Sequence, residues 1–306
     1  MQLDRVALWT MAFDNMPWST ARDALRGAEA DGWGCIWLPE AFGREVVSLA
    51  SACLATTSRM VVATGIANVW ARDPLALVSA QQLLGEVYPE RFLLGVGVSH
   101  PGVAKRRGGA GGGGDYAEIP PLRRLRQYLE DMDRSSYRGH SSATPPRLIA
   151  ALGPRMLELA RDLADGAHTY TSPVTHTARA RQTLGPDKWL VPEVKVVLGR
   201  TEADARDFAR QFLPVRLPAY RANLLRSGFE ERDIDGMPSD RLVDALVAHG
   251  DVDSVRARVE EHLGAGADQV VLNVLVEPGV TPAEQWGQLA PLAHALNEEN
   301  HATSAC

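Results

Sequence analysis

The chain has 306 residues, of which 45% are hydrophobic and 23% charged, and this length suits one α/β barrel of about 250 residues with insertions. Its formal net charge of −6 argues against a sequence-wide attraction to nucleic acid or to an anionic membrane. We therefore expect a small-molecule partner.

Short apolar runs alternate with amphipathic stretches along the chain, a pattern typical of a parallel sheet built from βα units. Helices are predicted at Ser19–Asp31, where Ser-Thr is expected to form the cap, and at Pro74–Glu86, where proline occupies the first turn. A single (β/α)8 TIM barrel over 1–306 is therefore predicted, with its active site at the C-terminal ends of the strands. The predicted strands lie near residues 5–9, 34–38, 60–66, 91–97, 147–151, 166–171, 193–198 and 268–275.

Insertions are expected after the fourth and seventh strands. Residues 100–121 join a basic run to a glycine-rich run, a composition that predicts a flexible loop over the barrel mouth and a candidate lid. Helical material is predicted at 201–226 and 239–265, with Asp251–Gly264 directly before the eighth strand. The tail 300–306 is expected to fray.

The sequence predicts a reduced, cytoplasmic protein without a bound metal. Its start leads directly into a short apolar strand and lacks the features of a signal peptide. No run approaches the roughly 20 apolar residues of a membrane span. Cys35, Cys53 and Cys306 form neither a disulfide framework nor a CxxC metal site.

Two polar residues follow predicted strands at the level where barrel active sites are built. Glu40 follows the second strand and could move a proton or hold a cofactor ring, or it could pair with Arg44 or Arg72. His100 follows the fourth strand and could act as a general acid or base, because an imidazole titrates near neutral pH, or it could simply be solvated.

A candidate anion site lies at Ala150–Met156, where a strand ends and Pro154 begins a helix. Free amides at such a helix start suit a phosphate, and Arg155 can add charge; an ordinary turn with a solvated arginine is the alternative. His168 and Tyr170 alternate on the sixth strand and could both face the mouth or pack in the core. No HExxH motif and no GxSxG elbow occurs, which counts against metallohydrolases and serine hydrolases.

Five segments together resemble the luciferase-like superfamily, and in particular an actinobacterial branch of coenzyme F420-dependent oxidoreductases. The similarity extends over roughly residues 5–280 and is specific as a set, since no single motif carries it. The segments are Trp37–Glu45, Ala63–Pro74, Arg91–His100, Ala150–Leu157 and Ala164–His168.

This resemblance implies a barrel, often a homodimer, that binds a deazaflavin or FMN at its C-terminal mouth. It favours an oxidoreductase that transfers hydride between coenzyme F420 and a small organic substrate. A reduced-FMN-dependent monooxygenase, or a barrel that has lost cofactor binding, are the alternatives. It also implies a cis peptide bond between Gly65 and Ile66. The residues it places at the cofactor are Trp9, Glu40, Thr64, Gly65, Ile66, Asn68, Gly97, Ser99, Ala151, Leu152, Gly153, Pro154, Arg155 and Tyr170.

Ala41 stands where bacterial luciferases and the sugar-phosphate dehydrogenases of this superfamily carry a catalytic histidine. Alanine cannot act as an acid or a base, so another residue must take that role if the protein is an enzyme. We expect His100 to be the proton donor and Glu40 the positioning group, because an imidazole titrates near working pH while a carboxyl group needs burial to do so.

Overall fold

Ten strands form one parallel sheet in the computed structural model, which describes residues 1–100, 102, 119–140 and 144–304. The strands are β1 (Val6–Trp9), β2 (Cys35–Leu38), β3 (Val61–Thr64), β4 (Ala67–Asn68), β5 (Phe92–Gly97), β6 (Arg147–Ala150), β7 (Gly166–Thr169), β8 (Trp189–Leu198), β9 (Val247–Gly250) and β10 (Val270–Val274).

The sheet closes because β10 pairs with both β1 and β8. Strands β3 and β4 pair with successive parts of β5 and share one place in the wall, and β9 lies outside it. Counting β3 and β4 as one place and leaving out β9, the ten strands form a wall of eight places, and every pair of neighbouring strands in it is parallel. The predicted (β/α)8 barrel is confirmed.

Helices surround this wall. They are α1 (Trp18–Ala30), α2 (Val46–Thr56), α3 (Pro74–Val87), α4 (Pro121–Asp133), α5 (Pro154–Leu163), α6 (Val174–Leu184), α7 (Glu202–Arg210), α8 (Pro218–Arg226), α9 (Glu231–Ile234), α10 (Asp240–Leu246), α11 (Val252–Gly264) and α12 (Ala283–Ser304). Among the described helices, none is both long and apolar enough to cross a membrane.

Alternation along the strands explains why their sequences are almost continuously apolar. Successive side chains point to opposite faces, and both faces are buried in a parallel barrel. Ala7 and Trp9 of β1 pack inside the barrel with Trp37 of β2. Val6 and Leu8 point outward and pack in the layer between strands and helices.

Helix starts follow local chemistry where a cap is available. Asp73 accepts a hydrogen bond from the backbone N–H of Ala76 at the start of α3, directly before Pro74. The predicted Ser-Thr cap of α1 is wrong. Pro17 is the N-cap residue with extended backbone, and Ser19 lies inside the helix, where no side-chain cap forms.

The insertion predicted after the seventh barrel strand is present after β8, whereas the one predicted after the fourth barrel strand, β5, falls mostly on residues outside the described part of the chain. The helical material predicted over 239–265 is present as α10 and α11, but residues 247–250 between them form β9, which pairs with Lys195–Leu198 of β8 and was not predicted. Strand β8 spans ten residues, and its C-terminal end extends beyond the residues that pair with β10. The free backbone N–H and C=O groups of this end form hydrogen bonds with β9. Leu242 and Val247 pack with Phe208 in a small core of their own.

Two further predictions concern segments at the limits of what the structure describes. The candidate lid at 100–121 falls mostly on residues outside the described part of the chain. Helix α12 continues to Ser304, through most of the tail expected to fray, and residues 305–306 lie outside the described part.

Candidate active site

A cavity of about 600 Å³ opens at the C-terminal ends of the barrel strands. The last residues of the strands and the loops that follow them supply its floor and walls, as expected for this fold. Many of the predicted site residues meet there: Trp9, Glu40, Gly65, Ile66, Ser99, His100, Ala151, Leu152, Gly153 and Tyr170 line it.

Gly65 and Ile66 form one wall of the cavity, and the bond between them is cis, which confirms the prediction. The indole Nε1 of Trp9 donates to the Gly65 carbonyl oxygen over 3.3 Å. A Cβ atom at Gly65 would lie 2.9 Å from that Nε1 atom. Glycine is therefore required here by the close approach of the indole.

Three predicted cofactor residues lie within the wall rather than on the cavity surface. The Thr64 hydroxyl donates to the Gly95 carbonyl oxygen (2.7 Å) and accepts from the Gly95 N–H (2.8 Å), so it joins two strands. Asn68 is fully buried in β4. A Cβ atom at Gly97 would lie 2.9 Å from the Ile66 side chain, so this glycine makes room for Ile66.

Glu40 is committed to an ion pair. Its carboxylate accepts from Arg72 Nη2 at 2.5 Å and from the backbone N–H of Asn68 at 2.8 Å. Burial acts to lower the pKa of Arg72, but the hydrogen bond and charge of Glu40 outweigh it and raise that pKa. Of the two arginines considered from the sequence, Arg72 is therefore the partner.

His100 meets a residue that sequence reasoning missed. Its Nε2 atom lies 3.3 Å from the hydroxyl of Tyr220, and the two ring centroids are 5.2 Å apart. Tyr220 belongs to α8 in the insertion after β8, 120 positions away. Burial lowers the pKa of His100, so the imidazole is neutral at neutral pH.

Aromatic rings continue from this pair down to the barrel floor. The ring of Tyr220 lies 6.1 Å from that of Tyr170, and Tyr170 lies 5.2 Å from Trp9. These three residues and His100 form a surface that we call the aromatic wall. Because aromatic rings pack well on flat, apolar groups, the wall suits a planar ligand.

His168 forms part of the floor and stacks on Trp37, with ring centroids 4.9 Å apart. Its Nδ1 atom lies 2.8 Å from the Val191 carbonyl oxygen, which can only accept, so Nδ1 carries the proton. Burial lowers the pKa of His168 to about 4. The Nε2 atom is a buried acceptor without a partner among the described residues.

A buried ion pair supports the aromatic wall from below, and sequence reasoning missed it as well. Lys195 donates to Glu193 at 2.9 and 3.0 Å and to the Thr171 hydroxyl at 2.8 Å. Its ammonium nitrogen lies 4.0 Å from the centroid of Tyr170. Burial lowers the pKa of Lys195, and the charge of Glu193 opposes that shift. Two charged residues two positions apart in an apolar strand were the available signal.

Positive charge gathers at the other end of the cavity, around the start of α5. Gly153 is the N-cap residue there, and glycine has no side chain that could cap the free amides. A Cβ atom at Gly153 would lie 3.8 Å from Arg226 Nη2. Burial, and then the charge of Arg226, lower the pKa of Arg179. Pro154 and Arg155 are exposed on the outer side of this helix start and do not line the cavity.

The described cysteines and acidic groups provide no metal centre. Cys35 and Cys53 are buried, and burial raises the pKa of the Cys53 thiol to about 12. Within the described ranges, no group of three or more potential ligands could hold a metal ion.

A second cavity, of about 660 Å³, lies at the N-terminal ends of the strands. Arg147 forms an ion pair with Asp133 there, and its backbone N–H donates to Asp165. Barrel chemistry takes place at the opposite end, where the first cavity lies. The first cavity is therefore the candidate active site.

Comparisons with known proteins agree with this fold. A family model described as luciferase-like monooxygenase matches residues 4–269. A 5,10-methylenetetrahydromethanopterin reductase from Methanolobus tindarius is 23% identical over 292 residues, covering 82% of this chain and 89% of the relative.

Two solved structures illustrate the range of similar barrels. The coenzyme F420-dependent tetrahydromethanopterin reductase from Methanopyrus kandleri is 17% identical with a TM-score of 0.73, and the match covers 94% of this chain and 97% of that chain. The oxygenating constituent of 3,6-diketocamphane monooxygenase from Pseudomonas putida, in complex with FMN, is 13% identical with a TM-score of 0.69, covering 96% and 98%.

Proposed function

The chain belongs to the luciferase-like monooxygenase family, and from that premise we propose that it is a coenzyme F420-dependent oxidoreductase acting on a small organic substrate. The proposal rests on one observation: the same cavity extends from the aromatic wall to the start of α5, where the N-cap residue is a glycine and arginines lie nearby. The two methanopterin reductases, one named as F420-dependent and one related by sequence, support the choice of deazaflavin.

The residues present fit a planar ring system that carries a phosphate. Trp9 and Tyr170 offer flat apolar surfaces, and Gly65 and Ile66 form a further wall of the same cavity. The amides that begin α5 and the guanidinium of Arg226 suit a phosphate, and Arg155 can add charge from the outer side. A bound deazaflavin would supply or accept a hydride.

The remaining chemistry falls to the chain's own side chains. The aromatic wall excludes water and orients the substrate, since its rings are buried or line the cavity. His100 holds the proton that must reach or leave a substrate oxygen when a hydride is transferred to or from carbon. Glu40 holds Arg72 and the backbone at Asn68 and thereby positions the loop after β4.

A reduced-FMN-dependent monooxygenase is the second candidate, because the FMN-binding camphane monooxygenase shares this fold. Incubation of the purified protein with F420 and, separately, with FMN tests both, since the two rings absorb differently. Binding of F420 supports the proposal. Retention of FMN alone would favour the monooxygenase, and retention of neither would indicate a barrel without redox chemistry.

A further inference from the structure

Thr171 has a backbone conformation that threonine rarely adopts. Its φ angle is 52°, in the left-handed region, where a β-branched side chain crowds its own backbone. The residue directly follows Tyr170, so this turn sets the direction in which the chain leaves the aromatic wall. Such a conformation persists only where the surrounding structure enforces it.

Both members of the buried ion pair hold Thr171. The carboxylate of Glu193 accepts from the Thr171 N–H at 3.1 Å, and the ammonium of Lys195 donates to the Thr171 hydroxyl at 2.8 Å. One partner therefore fixes the backbone of this residue and the other fixes its side chain. Thr171 is buried, so these bonds form away from water, where they are strongest.

The pair is in turn fixed by the strands around it. Glu193 lies two positions from Lys195 on the same face of β8, and it also accepts from the side-chain amide of Asn273 on β10 at 2.7 Å. Two charges buried inside an apolar barrel are often no more stabilising than apolar side chains of similar size. Their contacts with Thr171 indicate a more specific role than stability.

Tyr170 is the side chain that this arrangement places. Its ring is half-buried and lines the cavity, and the Lys195 ammonium lies 4.0 Å from the ring centroid. The residue stands between Thr169, the last residue of β7, and the turn at Thr171. Because the chain is fixed on both sides, few orientations are open to the ring, and a ligand that contacts it loses less entropy on binding.

We propose that Glu193 and Lys195 are positioning residues: by holding Thr171 in the left-handed conformation, they set the orientation of the Tyr170 ring at the cavity before a ligand binds. The proposal deepens the proposed function and rests on it for the nature of that ligand, a planar cofactor ring. The orientation of Tyr170 in the free protein involves no ligand, so it can be measured separately.

The orientation of the Tyr170 ring is followed by 19F NMR of the whole protein labelled with fluorotyrosine, in the absence of cofactor. The variant Tyr170→Phe assigns the resonance. F420 and FMN are then titrated into each variant to measure affinity.

Two substitutions of Thr171 separate positioning from packing. Both Thr171→Gly and Thr171→Val remove the hydroxyl that bonds Lys195, but glycine adopts a positive φ without steric cost and valine does not. If only packing mattered, glycine would be worse, because it leaves a void. We expect the opposite order: Thr171→Val should shift or double the Tyr170 resonance more than Thr171→Gly does, and should weaken cofactor binding by about tenfold more. Equal effects, or the packing order, would overturn the proposal.

A variant without the ion pair tests the two positioning residues directly. Glu193→Leu combined with Lys195→Met removes both charges at once, so neither is left buried without a partner. The Tyr170 resonance should shift or double, and cofactor binding should weaken by about tenfold. Adding Thr171→Gly should reverse most of both changes, because glycine needs no support at this φ. An unchanged resonance, or no recovery with glycine, would refute the assignment; if the variant does not fold, the order of the two Thr171 variants still decides.

Asp233→Asn is the matched control. The buried carboxylate of Asp233 likewise accepts from a basic side chain, Arg241 at 2.7 Å, and from a backbone N–H, that of Glu230 at 2.9 Å, but it lies in the insertion after β8 and does not line the cavity. It should leave the Tyr170 resonance and the cofactor affinity unchanged. Changes as large as those of the variant without the ion pair would indicate a general loosening of the fold and would contradict a positioning role.

The two proposals fail in different ways. If neither F420 nor FMN binds the unsubstituted protein, the proposed function fails, and the Tyr170 resonance still decides whether the pair positions the ring. If a cofactor binds but the resonance does not respond to the variants, only the positioning role fails.

Discussion

The buried pair beneath the aromatic wall offers the sharpest test of how the site is supported. Lys195 is 1% exposed and Glu193 is 2% exposed, and the pair lies inside the barrel below Tyr170. Lys195→Met would keep a similar length and remove the ammonium. Glu193 would retain two donors, the N–H of Thr171 at 3.1 Å and the side-chain amide of Asn273 at 2.7 Å.

Removing one partner of a buried ion pair typically costs about 3–5 kcal/mol, because the other charge is left without compensation. The two remaining donors to Glu193 place our expectation near the lower end, at about 3 kcal/mol. Glu193→Gln combined with Lys195→Met removes both charges and should recover part of this loss. The affinity for cofactor should fall as well, since Tyr170 loses the ammonium under its ring.

Urea unfolding at neutral pH, followed by circular dichroism, measures these differences. Arg134→Met is the control, since this arginine pairs with Asp131 while its side chain is 64% exposed. Its loss should cost less than about 1 kcal/mol. A cost for Lys195→Met as small as that of the control, or a double variant less stable than Lys195→Met alone, would refute the reasoning.

Three further predictions follow from the site and its surroundings. Acid should destabilise the fold, because burial lowers the pKa of three histidines in the folded protein. As pH falls below the ordinary histidine pKa of 6.5, the unfolded chain binds these protons before the folded protein does. The stability present above pH 6.5 is therefore lost as pH falls towards 4, by about 3 kcal/mol for each histidine. The three are His168 and His176, with a pKa of about 4, and His262, with a pKa of about 3. Urea midpoints that stay constant between about pH 7 and about pH 4.5 would contradict this sign. Arg155→Glu and Arg226→Glu should each weaken cofactor binding by about tenfold, or roughly 1.4 kcal/mol, and unchanged titrations would move the phosphate elsewhere. His100→Ala should lower turnover by about 100-fold while cofactor affinity stays within a few-fold, and full activity would eliminate His100 as the proton donor.

Local patterns were sufficient for the barrel wall and for much of the cavity rim. Each strand is a short apolar run because both of its faces are buried, and that property is visible in the sequence itself. Likewise, Pro74 and Pro154 begin helices where their fixed backbone angle is compatible with a first turn. Since the C-terminal ends of the strands converge, predicting the strands also placed Glu40 and His100 at one mouth.

Tertiary structure alone decided which of these groups are partners. Nothing near Glu40 in the sequence distinguishes Arg72 from Arg44, and nothing near His100 points to Tyr220 120 positions away. Strand β9 was missed because its pairing depends on the free end of β8. Local preferences act over a few residues, through backbone angles and burial, whereas contacts between loops depend on how the closed barrel brings distant chain segments together. The sequence by itself therefore determined the wall and the position of the mouth, and the closure of the barrel determined which side chains meet inside it.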